Sequence, residues 1–140
     1  MINQKYTVEI ELAKSPNYVF EHLINLKKWL PEDFEGEDIK INSEFVFTTG
    51  KSHYSKNKVI ELVPDKKLAW LTTVSFRKAD NFDWTGTKMI FELESKGEST
   101  ILKFSYDGVV LDNETERLVQ ICDMTVKDFF YNFIIHGKEK

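Results

Sequence analysis

At 140 residues the chain has length for one domain with a proper core and too little for two, so a single unit over 1–140 with no linker is expected. Hydrophobic residues make up 41% and charged residues 30%, a globular balance, while 14% aromatic content with eleven Phe is more ring surface than a minimal core requires. The net charge of -4, with guanidinium groups only at Arg77 and Arg117, argues against nucleic acid or an anionic membrane as main partner, because both are held by Lys and Arg neutralising phosphate.

Tyr6, Val8, Ile10 and Leu12 alternate with Thr7, Glu9 and Glu11, which predicts an opening strand with one dry face. No apolar signal core accompanies it and no run reaches bilayer-spanning length, so a cytoplasmic protein without membrane insertion is expected. Ser15 and Pro16 form a helix start, serine as cap and proline at the first helical position, with Val19, Phe20, Leu23 and Ile24 on the buried side. A further helical turn is expected over 27–30, anchored by Trp29 and stopped by Pro31.

From about Asp38 to Asp107 there is no helical period. Turn signals at Gly50, Ser55 to Asn57, Pro64 to Lys67, Ala79 to Asp83 and Lys96 to Glu98 separate six strands. These are predicted at 39–41, 44–49, 58–63, 68–76, 85–94 and 100–106, and with the first strand they make a seven-stranded antiparallel meander. Asp112 to Gly137 then reads as one long helix, roughly 36 Å at about 1.5 Å per residue. Leu118, Cys122, Val126, Phe129 and Phe133 form its apolar stripe, flanked by Ile121, Thr125, Phe130 and Ile134. Asn113 and Glu116 fit a capping box, and Gly137 fits a C-terminal cap. With strands before it, this helix needs a sheet to lie on, which makes the layout α+β. Cys122, the single cysteine, fits a small buried hydrophobe and leaves no internal disulfide possible.

The opening strand followed by SPNYVFEHL, then WLPEDFEG, VIELVPDKKLAW and GTKMIFELESKGESTILKFSYDGV, and the aromatic final helix, resemble the SRPBCC (START/Bet v-like) superfamily. Within it the match is to the branch named for the activator of the heat-shock-protein-90 ATPase. The resemblance implies a helix-grip fold, in which a seven-stranded antiparallel sheet wraps the long C-terminal helix around a cavity, with two short helices between the first two strands.

In the last two strands Met89, Phe91 and Leu93 share one face, as do Leu102, Phe104 and Tyr106. Phe45, Phe47, Leu68, Trp70 and Thr72 should join them from mid-sheet, and Thr125, Phe129 and Phe133 from the helix. Each position taken alone reads as core packing; the resemblance shifts the set toward a cavity wall. Glu61 is inward if Val59 and Val63 are inward, and a surface acid if Ile60 and Leu62 are. The resemblance favours the inward case, in which its carboxylate pairs with a lysine or tyrosine or orients a ligand group. His22, His53 and His136 share no metal-ligand spacing, and no GxSxG elbow or phosphate loop occurs, so neither metal nor cofactor is expected. Trp84 to Gly86 reads as a bulge or strand start, and Trp29 with Pro31 as a hydrophobic staple or, less favoured, a pocket lid.

Three functions compete. The first is binding of a small hydrophobic or amphipathic ligand, lipid-like or aromatic, between sheet and helix. The second is a cyclase- or aromatase-like enzyme in the same cavity, with Glu61 as general base or acid and Tyr106 as donor. The third is a co-chaperone of the heat-shock ATPase. Eukaryotic activators carry an additional N-terminal domain and this sequence starts at the first strand, so chaperone contact is the weakest expectation. An edge strand or the open sheet face could support a homodimer.

Overall fold

The computed structural model describes residues 3–29, 33–36, 38–49, 53–77, 85–110 and 124–137. Chain order is β1 (Asn3–Leu12), α1 (Pro16–Leu23), α2 (Leu26–Trp29), β2 (Asp33–Gly36), β3 (Glu44–Thr49), β4 (His53–Val63), β5 (Lys67–Arg77), β6 (Lys88–Lys96) and β7 (Ser99–Val110). A π-helical segment, Met124–Phe130, then runs directly into α3 (Tyr131–His136). The seven strands form one antiparallel sheet in the order β1-β7-β6-β5-β4-β3-β2. The first strand thus pairs with the last, and the α1–α2 connection carries the chain from one edge of the sheet to the other. α1 packs on β6, β7 and α3, and the π-helical segment touches β1. This is the α+β helix-grip arrangement.

Local chemistry accounts for the elements the sequence announced. Ser15 accepts from Tyr18 N at 3.3 Å as N-cap, Pro16 occupies the first turn, and Val19, Phe20 and Leu23 are buried. Gly137 takes the left-handed conformation at φ 65° and its N–H donates to Phe133 O at 3.0 Å. The expected capping box at Asn113 and Glu116, and Leu118, Ile121 and Cys122, lie outside the described residues.

Four expectations are corrected. Residues 39–41 are not a strand. Ser43 closes a turn there, with Ser43 Oγ donating to Lys40 O at 2.7 Å, Asn42 in the left-handed region at φ 68°, and Ile41 exposed. The seventh strand is instead Asp33–Gly36, pairing Phe34 with Phe47 and Gly36 with Phe45. Its charges disguise it, but Gly36 is required: at φ 147° a Cβ would come within 2.8 Å of Phe45 Cα. Ser55 to Asn57, expected as a turn, lie inside β4, because they pair with Phe47 to Phe45 on β3 and with Ser75, Val74 and Thr72 on β5. Thr85 and Gly86, expected to open a strand, form a turn in which Gly86 N donates to Thr72 O at 2.8 Å, and β6 begins at Lys88.

The last correction concerns the helix stripe. Val126, Phe130, Phe133 and Ile134 are buried and Phe129 is only half-buried. Val126 and Phe133 are buried as expected, while Phe130, expected on the flank, takes the central place expected for Phe129.

Candidate ligand site

The inner face of the sheet is a continuous run of rings. Phe34 stacks on Phe45 at 5.6 Å, Phe45 meets Phe47 at 5.0 Å, and both meet Trp70 edge-on at 5.3 and 6.1 Å. Trp70 leans on Phe91 at 5.3 Å, Phe91 stacks on Phe104 at 4.7 Å, and Phe104 reaches Tyr106 at 6.1 Å. Such offset and edge-to-face contacts are worth about 0.5–1.5 kcal/mol each beyond burial. Trp29 completes the layer: its ring lies edge-on to Phe91 and 5.0 Å from Phe130, and its Nε1 donates to Leu23 O at 3.0 Å. It is an interior anchor tying the helical connection to sheet and C-terminal segment, rather than a lid; Pro31 lies outside the described residues.

Of the wall expected from sequence, the structure brings together Phe45, Phe47, Val59, Trp70, Thr72, Met89, Phe91, Phe104, Tyr106 and Phe133, all buried. Phe129 is half-buried, and the side chain of Thr125 lies outside the described residues. Sequence reasoning missed the polar end of this wall. On β4 the inward positions opposite Phe47 and Phe45 are Ser55 and Asn57, short and buried. Asn57 Oδ1 accepts from Ser55 Oγ at 3.1 Å and from Thr72 Oγ1 at 2.8 Å, and Asn57 Nδ2 donates to Ser55 O at 3.2 Å. A carbonyl oxygen has two lone pairs, so this acceptor is saturated. One strand position along from Thr72 on the same face, Trp70 is fully buried, and its Nε1 is the buried side-chain donor without an acceptor among the described residues. Leaving such a group unpaired costs about 1–3 kcal/mol. The signal was present in the sequence as Asn57 between apolar strand positions, but its composition reads as turn.

Glu61 is corrected outright. β4 carries an irregularity between Val59, opposite Trp70, and Glu61, opposite Ala69, so the inward phase passes from Val59 to Leu62, which faces Leu68. Glu61 consequently lies on the outer face, exposed, with Lys67 Nζ at 3.0 Å from its carboxylate. An exposed pair of this kind contributes about 0–1 kcal/mol. The carboxylate assigned to general acid or base chemistry is therefore not on the inner face, and the buried described residues include no Asp, Glu, Lys, Arg or His. The histidines stay apart in the fold, on α1, on β4 and at the end of α3, and no group of three His, Cys, Asp or Glu able to hold a metal occurs among the described residues. No described helix is long and apolar enough to cross a membrane.

One hollow among the described residues was not foreseen. An open cleft of about 720 Å³ lies between the α1–α2 connection and β2, with Glu21, Ile24 and Lys27 on the helical side and Phe34, Glu35 and Asp38 on the other. Its lining mixes charged side chains with the apolar Ile24, Phe34 and Ile39, and none of the residues expected to line a cavity is among them.

Comparison with known proteins agrees with this architecture. The family model described as Activator of Hsp90 ATPase homolog 1-like protein matches residues 14–125. No curated protein matches. Among solved structures, that of the Aha1 dimer from Colwellia psychrerythraea is similar at TM-score 0.73 and 22% identity, over 96% of this chain and 98% of that one. Protein MLL2253 from Mesorhizobium loti gives 0.74 and 16%, over 94% of each chain. PFC0360w, an HSP90 activator from Plasmodium falciparum, gives 0.64 and 17%, over 97% of this chain and 99% of that one. At these identities the likenesses show the fold alone.

Proposed function

We propose, for a chain that belongs to the Activator of Hsp90 ATPase homolog 1-like family, that it binds a small amphipathic molecule between the inner face of the sheet and the C-terminal helical segment. The observation that carries this is the indole N–H of Trp70, buried without an acceptor among the described residues, inside an aromatic wall and beside the Ser55, Asn57 and Thr72 cluster. A wall that is apolar over most of its area and polar at one end is the usual make-up of a small-molecule site. The rings run in contact from Phe34 to Tyr106, and the short inward side chains of Ser55 and Asn57 favour a guest toward that end. Burying about 300 Å² of ligand carbon at roughly 25 cal/mol per Å² yields on the order of 7 kcal/mol before association costs. This suffices for micromolar binding only if the wall is preformed, and the interlocked rings support that condition.

The test is native mass spectrometry of gently purified protein before and after denaturing extraction, with titration by an environment-sensitive apolar dye. A released small molecule, or saturable dye binding, is the expected result. A bare chain mass together with no dye binding would overturn the proposal. With Glu61 outside, a cyclase-like role loses the proton-transfer group that supported it and is not proposed. Chaperone contact is a second reading, favoured by coverage of 99% of the Plasmodium activator chain. Failure of the protein to retain the heat-shock ATPase in a pull-down at physiological salt would dispose of it.

A further inference from the structure

Among the described residues the open cleft between the α1–α2 connection and β2 shares only Phe34 with the aromatic wall, and both of its sides are fixed by contacts of their own. On the helical side the indole of Trp29 donates to Leu23 O at 3.0 Å, and Ile24 N–H donates to Phe20 O at 3.1 Å, which holds the segment that carries Ile24 and Lys27. On the sheet side Gly36 lies so close to β3 that no Cβ fits there, and Phe34 stacks on Phe45 at 5.6 Å. Ile24, Phe34 and Ile39 line the cleft while packing against the core, so each presents apolar surface from a rigid base. A preformed hollow of about 720 Å³ has the size of a small-molecule site.

The charges around this apolar surface are unbalanced. Glu21, Glu35 and Asp38 stand against a single ammonium, that of Lys27, and among the described residues none of the four is in an ion pair. The three carboxylates do not converge either: no group of three metal-ligating side chains occurs among the described residues, so a bare divalent ion finds no cage of oxygens here. From this geometry, and independently of any guest on the inner wall, we infer that the cleft binds a small organic cation, an ammonium or amidinium group on a flat apolar body. The body lies against Ile24, Phe34 and Ile39, the positive group is shared among the spread carboxylates, and the Phe34 ring offers it a cation–π contact. Buried area supplies most of the affinity and charge supplies the selectivity, because exposed carboxylates are screened by water and each adds little. An anion of the same shape meets three like charges and one opposite. The net charge of -4 on the whole chain acts in the same direction, drawing cations toward the molecule.

The experiment titrates the full, isotope-labelled chain with three probes of one shape: naphthylmethylamine, ethylnaphthalene and naphthoate. Isoleucine methyl and backbone resonances report where each one sits. The amine should bind saturably, shift Ile24 and Ile39, and bind about 10-fold more tightly than the hydrocarbon at low salt. Raising the ionic strength from about 0.01 M to about 1 M shortens the reach of the charges from about 30 Å to about 3 Å, and should bring the two affinities within about 2-fold. The double variant Glu35→Gln, Asp38→Asn, which leaves Glu21 balanced by Lys27, should do the same at low salt. Equal binding of amine and hydrocarbon to the wild-type chain at low salt would overturn the inference, as would tightest binding by naphthoate. Displacement of the amine by an equal concentration of calcium chloride would overturn it in favour of a metal ion. Amine-induced shifts confined to the ring wall, at Phe91 and Phe104, would place the amine on the inner face and remove the cleft as its site. No binding by the amine would dispose of this inference alone and leave the inner-wall reading to its own mass-spectrometric test. Both substituted carboxylates are exposed, so the variant is expected to fold, and the salt dependence of the wild-type chain decides the matter without it.

Discussion

Replacing each of two buried tryptophans by phenylalanine should give different results although the chemistry deleted is the same. Both Trp29 and Trp70 are essentially inaccessible and both pack on Phe91, so Trp29→Phe and Trp70→Phe each remove the same indole atoms from a similar ring environment. The packing loss, of order 1–2 kcal/mol for a few buried heavy atoms, is common to the pair. The polar ledger is not. Trp29→Phe deprives the Leu23 carbonyl, at the end of α1, of its 3.0 Å donor and leaves a buried acceptor unpaired at about 1–3 kcal/mol. Trp70→Phe deletes a donor that has no acceptor among the described residues and relieves a penalty of the same size. Trp29→Phe should therefore be the less stable variant by about 2–6 kcal/mol, with Trp70→Phe close to wild type. Urea unfolding of ligand-free protein followed by far-ultraviolet circular dichroism measures this without relying on the fluorescence that the substitutions remove. Equal destabilisation of the two would refute the reasoning, since it would mean that Trp70 Nε1 has an acceptor after all.

Thr72→Val removes one of the two donors on Asn57 Oδ1 while conserving shape and should cost about 1–2 kcal/mol in the same assay; a neutral result would mean that the buried cluster is not held by this bond. Glu61→Gln should change stability by less than about 1 kcal/mol and leave dye binding untouched, because the carboxylate sits on the outer face with Lys67. A large loss of binding would put Glu61 back at the wall. Gly36→Ala should destabilise by about 2 kcal/mol or more, from backbone strain and a collision with Phe45 Cα. Amide exchange should localise that loss to β2 and β3, and uniform protection in the variant would count against a strained close approach.

Much of the fold is legible from local patterns, because those patterns are themselves the physics. The alternation of Val8, Ile10 and Leu12, the Ser15–Pro16 start and the Gly137 stop each encode their element through side chains a few residues away. What escaped detection depends on distant partners. Asp33–Gly36 is a strand because Phe45 and Phe47 are there to pair with, not because its own residues prefer one. Asn57 reads as a turn former until Ser55 and Thr72 are known to face it. The orientation of Glu61 turns on one extra residue in β4, and a period-two argument carried through that point inverts every side chain beyond it. The aromatic wall was legible as a set because each ring sits on the expected face of its strand. Its polar end was not, since which donor lacks an acceptor is a property of the assembled interior.

The pairing of β1 with β7 also bears on how the molecule comes together. Thr7 and Ser105, whose hydroxyls lie 3.3 Å apart, are 98 positions apart in sequence, and closing a loop of that length costs about 4 kcal/mol in chain entropy. On the ribosome the first strand emerges long before its neighbour exists. Until they meet, β7 presents a bare row of amides and carbonyls with Leu102 and Phe104 beside it, the form of surface that recruits other nascent chains. Pairing of the amino-terminal strand with β7 thus acts as the seal on that edge of the sheet. Folding is expected to be slow, on the scale of milliseconds to seconds, and vulnerable to aggregation for as long as that seal is open.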